Sequence, residues 1–353
     1  MKEIWRHTKD WLKAFFWAFL AVWILRTFLI QGAFIPSQSM EKTLLSGDFI
    51  FISKWQYGPR TPMTLLAMPF MHQHMPFSNT APSYSDLIQL PYFRLPGFSE
   101  VKREDIMVFN YPMEIERPVD KRTYYVKRCI GLPGDTLQIF AKQVIVNGDT
   151  LTNRPNYQFV RKIKAKNPLS QSWLDSLGVT EGGLVSNMLD YEFPLTDSLT
   201  RLMAIHPDVY SVIMRLDKRD DYHAYIFPHS RKFLFNNDFW GPVIIPSAGM
   251  TMELNDSNIV FYERIIREYE GVELKQTGGE FFVDGESITK YTFKHNYYFG
   301  MGDNRDFSAD SRSWGLIPET HVIGKAWMVF FSVQSGSNQK SGIRWNRLFR
   351  IIE

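Results

Sequence analysis

The chain has 353 residues and a single cysteine, Cys129. One thiol allows no intrachain disulfide and no zinc site built from several cysteines. Charge of one sign is also scarce. Forty Lys+Arg against 37 Asp+Glu leave a formal net charge of +3, which argues against nucleic acid as a partner, since its binding needs a concentrated basic surface. No HExxH, GxSxG, P-loop or GxGxxG string occurs, so zincin, hydrolase-elbow and nucleotide-loop chemistries are not signalled. The eight histidines are scattered. His72 and His74 can share a strand face, but two ligands without a third do not make a metal site. Asp303, Asp306 and Asp310 crowd one loop, yet Arg305 and Phe307 stand where a calcium loop needs oxygens. No metal and no cofactor are expected. A mean hydropathy of −0.22 excludes a polytopic membrane protein and leaves room for one span.

What is present is apolar material: 44% hydrophobic and 15% aromatic residues, enough for folded cores and far from a disordered composition. The first 36 residues stand apart. Lys2, Arg6, Lys9 and Lys13 precede an apolar run over 14–25, which Arg26 interrupts before it resumes at 30–35. A span needs about 20 mostly apolar residues. Residues 14–35 qualify if Arg26 snorkels to an interface, and Trp11, Trp17 and Trp23 add aromatic anchors. A cleaved signal peptide and a buried soluble helix are the alternatives; the long apolar region and the lack of a small-x-small site disfavour cleavage. Basic residues before the span and Glu41 and Asp48 after it put residues 1–13 in the cytoplasm and the large part outside.

Beyond the anchor, short β-type runs dominate, at 49–52, 106–109, 124–130, 137–140, 144–146, 258–261, 281–283, 297–301 and 327–333. Asn147-Gly148 and Asp284-Gly285 read as tight hairpin turns. The spacing predicts a mainly β protein with a coiled or barrel-like sheet. Residues 36–140 form the first part of its core, with 59–97 as a long ordered loop. Residues 141–290 are an inserted second β-rich domain, and 291–333 complete the core. Residues 153–250 are the least patterned part of that insertion. In the tail, 334–353, Arg344, Arg347 and Arg350 recur every third residue among Trp345, Leu348, Phe349 and Ile352. That predicts a short basic amphipathic helix, packed on the core or on a membrane surface.

Four dense segments remain: Pro36-Ser37-Gln38-Ser39-Met40; Gly47-Asp48 leading to Lys54; Arg103-Glu104-Asp105-Ile106-Met107-Val108-Phe109 with Tyr125-Val126-Lys127-Arg128-Cys129-Ile130-Gly131-Leu132-Pro133-Gly134-Asp135; and Gly302-Asp303-Asn304-Arg305-Asp306-Phe307-Ser308-Ala309-Asp310-Ser311-Arg312 with Trp314-Gly315. In this order behind an anchor they resemble type I signal peptidase (leader peptidase), a serine protease family with a Ser/Lys dyad. Its pattern is PSxSM, GDxxxVxK, RGDIVVF with YVKRxxGLPGD, and GDNRDNSxDSRxWG. Departures are Lys42 for Pro, Glu104 for Gly, Ile52 for Val and Phe307 for Asn; none removes a reactive group.

The resemblance implies a coiled antiparallel β-sheet catalytic core of the signal peptidase/LexA-like type. It implies a membrane-anchored endopeptidase that removes signal peptides from exported preproteins after small residues at −1 and −3. Ser39 is the nucleophile and Lys127 the general base, through an acyl-enzyme. The Ser39 amide and the Ser37 hydroxyl form the oxyanion site, Ser308 orients the lysine, and Arg128, Asp303, Asp310 and Arg312 give structural support. Phe34, Ile35, Met40 and Tyr125 are candidates for binding substrate, which adds as a strand between 31–36 and 123–126. The implied place is the bacterial inner membrane with the catalytic part on the periplasmic face, the partners preproteins, lipid and the export machinery.

The residues make physical sense of this. Serine needs a base to become a nucleophile, and a lysine serves only if burial lowers its pKa from about 10.4. Alternation puts Tyr125, Lys127 and Cys129 on one strand face, with Cys129 a small apolar neighbour of the amine. Plainer roles compete: Ser39 as a helix N-cap, and Lys127-Arg128 as exposed edge cations. Ser39-x-x-Lys42 also forms the string of penicillin-binding proteins, whose S-D-N and K-T-G boxes are missing. A catalytically inert membrane-tethered β module binding exported or envelope proteins is the alternative of another class. A soluble self-cleaving repressor relative is disfavoured by the anchor.

Overall fold

A computed structural model describes residues 2–78, 80–334 and 342–352, with side chains from residue 7 onward. Helix α1 (Lys2–Phe28) leads into strand β1 (Ile30–Phe34). The apolar segment expected as one span over 14–35 therefore divides. Residues 7–29 are long and apolar enough to cross a membrane, by length and composition. Residues 30–34 pair instead with β2 (Asp48–Ser53), from Ile30 opposite Ser53 to Phe34 opposite Phe49. Two interactions fix the boundary. Lys54 Nζ donates to the carbonyls of Arg26 and Thr27 at the helix end, 3.0 and 3.2 Å away. The amide of Lys54 donates to Leu29 O.

The central sheet is antiparallel and nine-stranded among the described residues. Its path runs β1, β2, the long strand Val322–Gln334, β5 (Ile106–Asn110), β6 (Tyr124–Gly131), Tyr297–Met301 and Ile317–Pro318. The sequence halves before and after the insertion thus interleave in one sheet. Alternation along β6 works as expected: Val126 joins the cluster of Ile35, Met40, Leu44, Ile50 and Ile52, while Tyr125 and Cys129 join that of Met107, Phe109 and Trp314. Both predicted hairpin turns have positive φ at their two central residues, 53° and 91° at Asn147-Gly148 and 50° and 90° at Asp284-Gly285.

The expected loop over 59–97 contains a hairpin, β3 (Thr64–Ala67) and β4 (Tyr84–Gln89). Asp120 organises it by accepting from the amides of Met63 and Thr64 and the hydroxyl of Thr64. Residues 141–290 hold two cores rather than one. Strands Phe159–Ala165, Gly183–Ser186, Asp190–Leu195 and Val209–Met214 form a separate four-stranded sheet. It encloses its own cluster of Ile163, Phe193, Leu195 and Met203. Trp240, Phe261 and Phe293 share a core with Ile130, Leu137 and Phe299 of the central body.

Two sequence expectations are corrected. The run at 258–261 is helical, Ile259–Arg264, not strand. Asn255 accepts the amides of Ser257 and Asn258 and starts the turn, and Ile259, Phe261, Tyr262, Ile265 and Ile266 are all buried; a short, wholly apolar run reads the same in either conformation. The tail is no amphipathic helix. Gly342–Ile343 and Arg350–Ile351 pair with the long strand, and a single 3-10 turn, Trp345–Arg347, lies between them. Two of its three arginines point inward: Arg347 forms a bidentate pair with buried Asp48 (2.9 and 2.5 Å), and Arg344 donates to Ser46 O and Ser332 Oγ, while Arg350 is exposed. The parts of the predicted tail at 335–341 and 353 lie outside the described residues.

Candidate active site

Ser39 follows β1 in a tight turn, where Leu44 N donates to Met40 O and Glu41 N to Gln38 O. No helix forms there, so Ser39 is not an N-cap. Its hydroxyl lies 2.6 Å from Lys127 Nζ, which donates to it across 88 residues of sequence. Lys127 is only 3% exposed and sits on β6 opposite Met107 of β5. The rival lysine, Lys42, turns away and donates to Gly178 O at 2.5 Å.

Around the pair, Ser37 Oγ is 3.4 Å from Ser39 Oγ. The Tyr125 ring centroid is 5.7 Å from Lys127 Nζ, and Tyr125 stacks on Tyr111 at 4.4 Å. Gly302 lies against Ser39 and Ser308: a Cβ there would come within 2.5 Å of Ser39 O and 2.2 Å of Ser308 Oγ. The Ser308 hydroxyl faces this backbone, is buried, and makes no hydrogen bond. Lys127 donates to Ser39, and no hydrogen bond joins it to Ser308. Of the expected substrate contacts, Ile35 and Met40 are buried in the core, at 4% and 2% exposure. Phe34 points to the opposite face, exposed against Phe49.

Burial dominates the electrostatics of Lys127. It pulls the amine down to about 8, against Asp310 and Asp303, which favour the charged form, and with Arg312, which opposes it. Those acids are already engaged. Arg128 grips Asp303 with two hydrogen bonds of 2.8 and 2.7 Å, both side chains fully buried. Arg312 grips Asp310 at 2.9 and 2.8 Å, and Asp310 also accepts Gly302 N. Arg312 holds the Asp310 carboxyl below its ordinary value, despite burial. These pairs fix the loop after Tyr297–Met301 against β6 while taking up most of the negative charge that would otherwise protonate the lysine.

Residues 8–184 and 263–331 match the family model described as signal peptidase, peptidase S26. The chain belongs to this family. It is a hydrolase of the signal peptidase I class. Curated proteins named signal peptidase I match along most of its length: from Buchnera aphidicola at 27% identity, covering 96% of this chain and 80% of the relative; from Haemophilus influenzae at 23%, covering 98% and 76%; and from Aquifex aeolicus at 26%, covering 89% and 80%. The S26 match leaves out 185–262, which includes most of the separate four-stranded sheet.

Seen against the S26 pattern, two departures acquire reasons. Glu104 has φ +74°, the region glycine tolerates best. Its carboxylate accepts from Arg154 Nε and Tyr157 OH, so the side chain that replaces glycine tethers the start of the insertion. Lys42 has φ +70°, which proline cannot adopt; the turn after Ser39 is locally different, and Lys42 reaches the insertion at Gly178. Asn304 is a site residue that residue-by-residue reading passed over. Its amide donates to Ser39 O, and its side chain donates to Gln38 O and to Glu181 of the insertion. Its place inside the Gly302–Arg312 segment was the only available signal, because its partners are more than 100 residues away. Glu41, buried beside Glu181, is raised to about 7, chiefly by burial.

Proposed function

We propose that this S26 peptidase is a membrane-anchored serine endopeptidase that cuts signal peptides from exported preproteins with a Ser39/Lys127 dyad. The observation that carries the reading is the buried Lys127 amine within hydrogen-bond reach of Ser39. A lysine neutral near pH 8 accepts the Ser39 proton as its oxygen attacks the scissile carbonyl. The Ser39 amide and Ser37 hydroxyl stabilise the oxyanion; such donors are commonly worth ~3 kcal/mol. Lys127 then passes the proton to the leaving amine and activates the water that releases the acyl-enzyme. Ser308 has an unengaged hydroxyl beside this pair and becomes a partner for Lys127 once Ser39 is acylated.

The sheet supports a substrate strand. β1 is an edge strand, and β6 pairs with Tyr297–Met301 only from Arg128 to Gly131, which leaves the outer edge of 124–127 unpaired. An extended peptide added there places alternate side chains against Tyr125, with Ile35 and Met40 buried in the core beneath. Tyr125, stacked on Tyr111, makes this wall aromatic, which suits small residues at −1 and −3. Ser39 lies ten residues beyond the candidate span His7–Leu29, so cleavage occurs near the bilayer surface. Lys2, Arg6, Lys9 and Lys13, before and at the N-terminal end of the span, support a reading with the catalytic part on the outer face of the inner membrane. The inserted unit is taken as the four-stranded sheet and its flanks, joined to the site through Gly178, Glu181 and Glu104.

The test is to incubate the detergent-solubilised full chain with a purified preprotein and sequence the product by mass spectrometry. The reading predicts one new N-terminus, after small residues at −1 and −3, and its loss when the −1 residue is made leucine. A preprotein left uncut, or cut irrespective of the −1 residue, contradicts it.

A further inference from the structure

The β3–β4 hairpin plays no part in the peptidase chemistry, yet it is joined to the membrane helix. Phe70, between its strands, packs edge-on against Phe19 of α1, ring centroids 5.2 Å apart. Arg26 Nη1 donates to Phe70 O at 3.1 Å. The hairpin thereby covers a cavity of about 390 Å³ at the end of α1. The lining has two characters. Arg26, Lys54, Arg60 and Lys121 supply four cations; Trp23, Leu65 and Met68 supply an apolar wall.

The cations outnumber the acids around them, and Asp120 is the one carboxylate in the lining. Lys54 serves the helix-end carbonyls already described. Arg60 donates to Thr320 O (2.6 Å) and Asn110 Oδ1 (2.7 Å), and Lys121 Nζ stands 5.7 Å from the Tyr84 ring. Among the described residues none of the four forms an ion pair at contact distance; Asp120 accepts from the hairpin backbone and favours the charged forms of Arg60 and Lys121 from further away. Burial, then Arg60 and Arg26, pulls the Lys54 amine down to about 7, the behaviour of cations crowded without an anion. Four basic side chains facing one carboxylate leave the cavity net positive, a site for a phosphate, which they bind through charge-assisted hydrogen bonds.

Depth and shape select the source of that phosphate. Arg26 is three residues from the end of the candidate span, which puts the cavity at headgroup level. Leu65 and Met68 of the hairpin line the cavity beside Trp23 of α1 and are also exposed and apolar, where acyl chains would meet them. A soluble phosphate ester would use only the basic half of the lining; an amphiphile uses both. We propose that this cavity binds one anionic phospholipid, its phosphate among Arg26, Arg60 and Lys121 and its chains along Trp23, Leu65 and Met68. The proposal rests on the reading of α1 as a membrane anchor.

The test uses the full chain in nonionic detergent with phosphatidylglycerol and phosphatidylcholine added in equal amounts, and counts retained lipid by native mass spectrometry. One phosphatidylglycerol is expected, preferred by about tenfold or more over phosphatidylcholine. Arg60→Gln with Lys121→Gln removes the preference. Ala67→Phe keeps every charge but fills the cavity, and lowers retention as well, so the outcome does not depend on the first variant folding. Equal retention of the two lipids, or wild-type retention by either folded variant, overturns the proposal. Displacement by millimolar glycerol phosphate assigns the site to a soluble ester and overturns the lipid. Failure of the anchor reading shows separately, as a full chain that stays soluble without detergent.

Discussion

Lys127 is held between opposing influences at the scale of single residues. Its burial favours the neutral amine, while Asp303 and Asp310 favour the cation. Arg128 and Arg312 neutralise those acids at hydrogen-bond distance, so desolvation wins. The direction has a kinetic consequence under the proposed mechanism. The base works only when neutral, so kcat/KM should rise as pH passes through about 8 and level off above it. A limb near the ordinary lysine value would show an exposed amine. Glu41, raised to about 7, titrates close by. Glu41→Gln should leave the limb in place, and a pH–rate profile that moves with this substitution would assign the limb to Glu41 instead. The residue types of the dyad were readable in the sequence, but their 2.6 Å approach was not, because it depends on the turn after β1 meeting β6, with 88 positions between the two residues. Asn304 and Glu181 were invisible for the same reason.

Elements show where local pattern suffices and where it fails. Short strands rich in β-branched and aromatic residues, such as β5 and β6, were legible although both faces are covered, and so were the Asn-Gly and Asp-Gly turns, because their signals lie within a few residues. The tail carried a helical period, yet strand pairing and the Arg347–Asp48 pair override it; that contact spans 299 residues. Residues 30–34 likewise read as apolar membrane sequence until β2 claims their backbone hydrogen bonds. The tail clasp has a testable worth. Arg347→Met leaves the Asp48 carboxylate buried and unpaired, a loss of the kind that costs about 3–5 kcal/mol. A thermal melt in detergent should show a clear drop in midpoint. A midpoint within a degree of wild type would mean that the tail does not hold β2.

The molecule as a whole is an S26 peptidase whose central sheet is assembled from both sides of a long insertion. That insertion is not a passenger: Glu104, Lys42 and Asn304 tie its residues Arg154, Tyr157, Gly178 and Glu181 to the segments around Ser39. Its separate core was foreshadowed only by a break in pattern, since an inserted sheet obeys the same alternation as its host. Orientation is also a property of the whole chain. With positive residues gathered before and at the N-terminal end of the span, external protease added to intact spheroplasts should digest the central sheet and spare the N-terminal segment. Protection of the sheet until the membrane is opened would reverse the assignment.

The central claim is that Ser39 and Lys127 act as one unit, and the most direct measurement is the single-turnover rate of preprotein cleavage by wild type, Ser39→Ala and Lys127→Met, each checked for a wild-type melt. The account predicts that both variants lose activity by about 10³-fold or more, with the double variant no worse than either single one, because the residues act together. A folded Lys127→Met enzyme that still cleaves at a rate near wild type would contradict it.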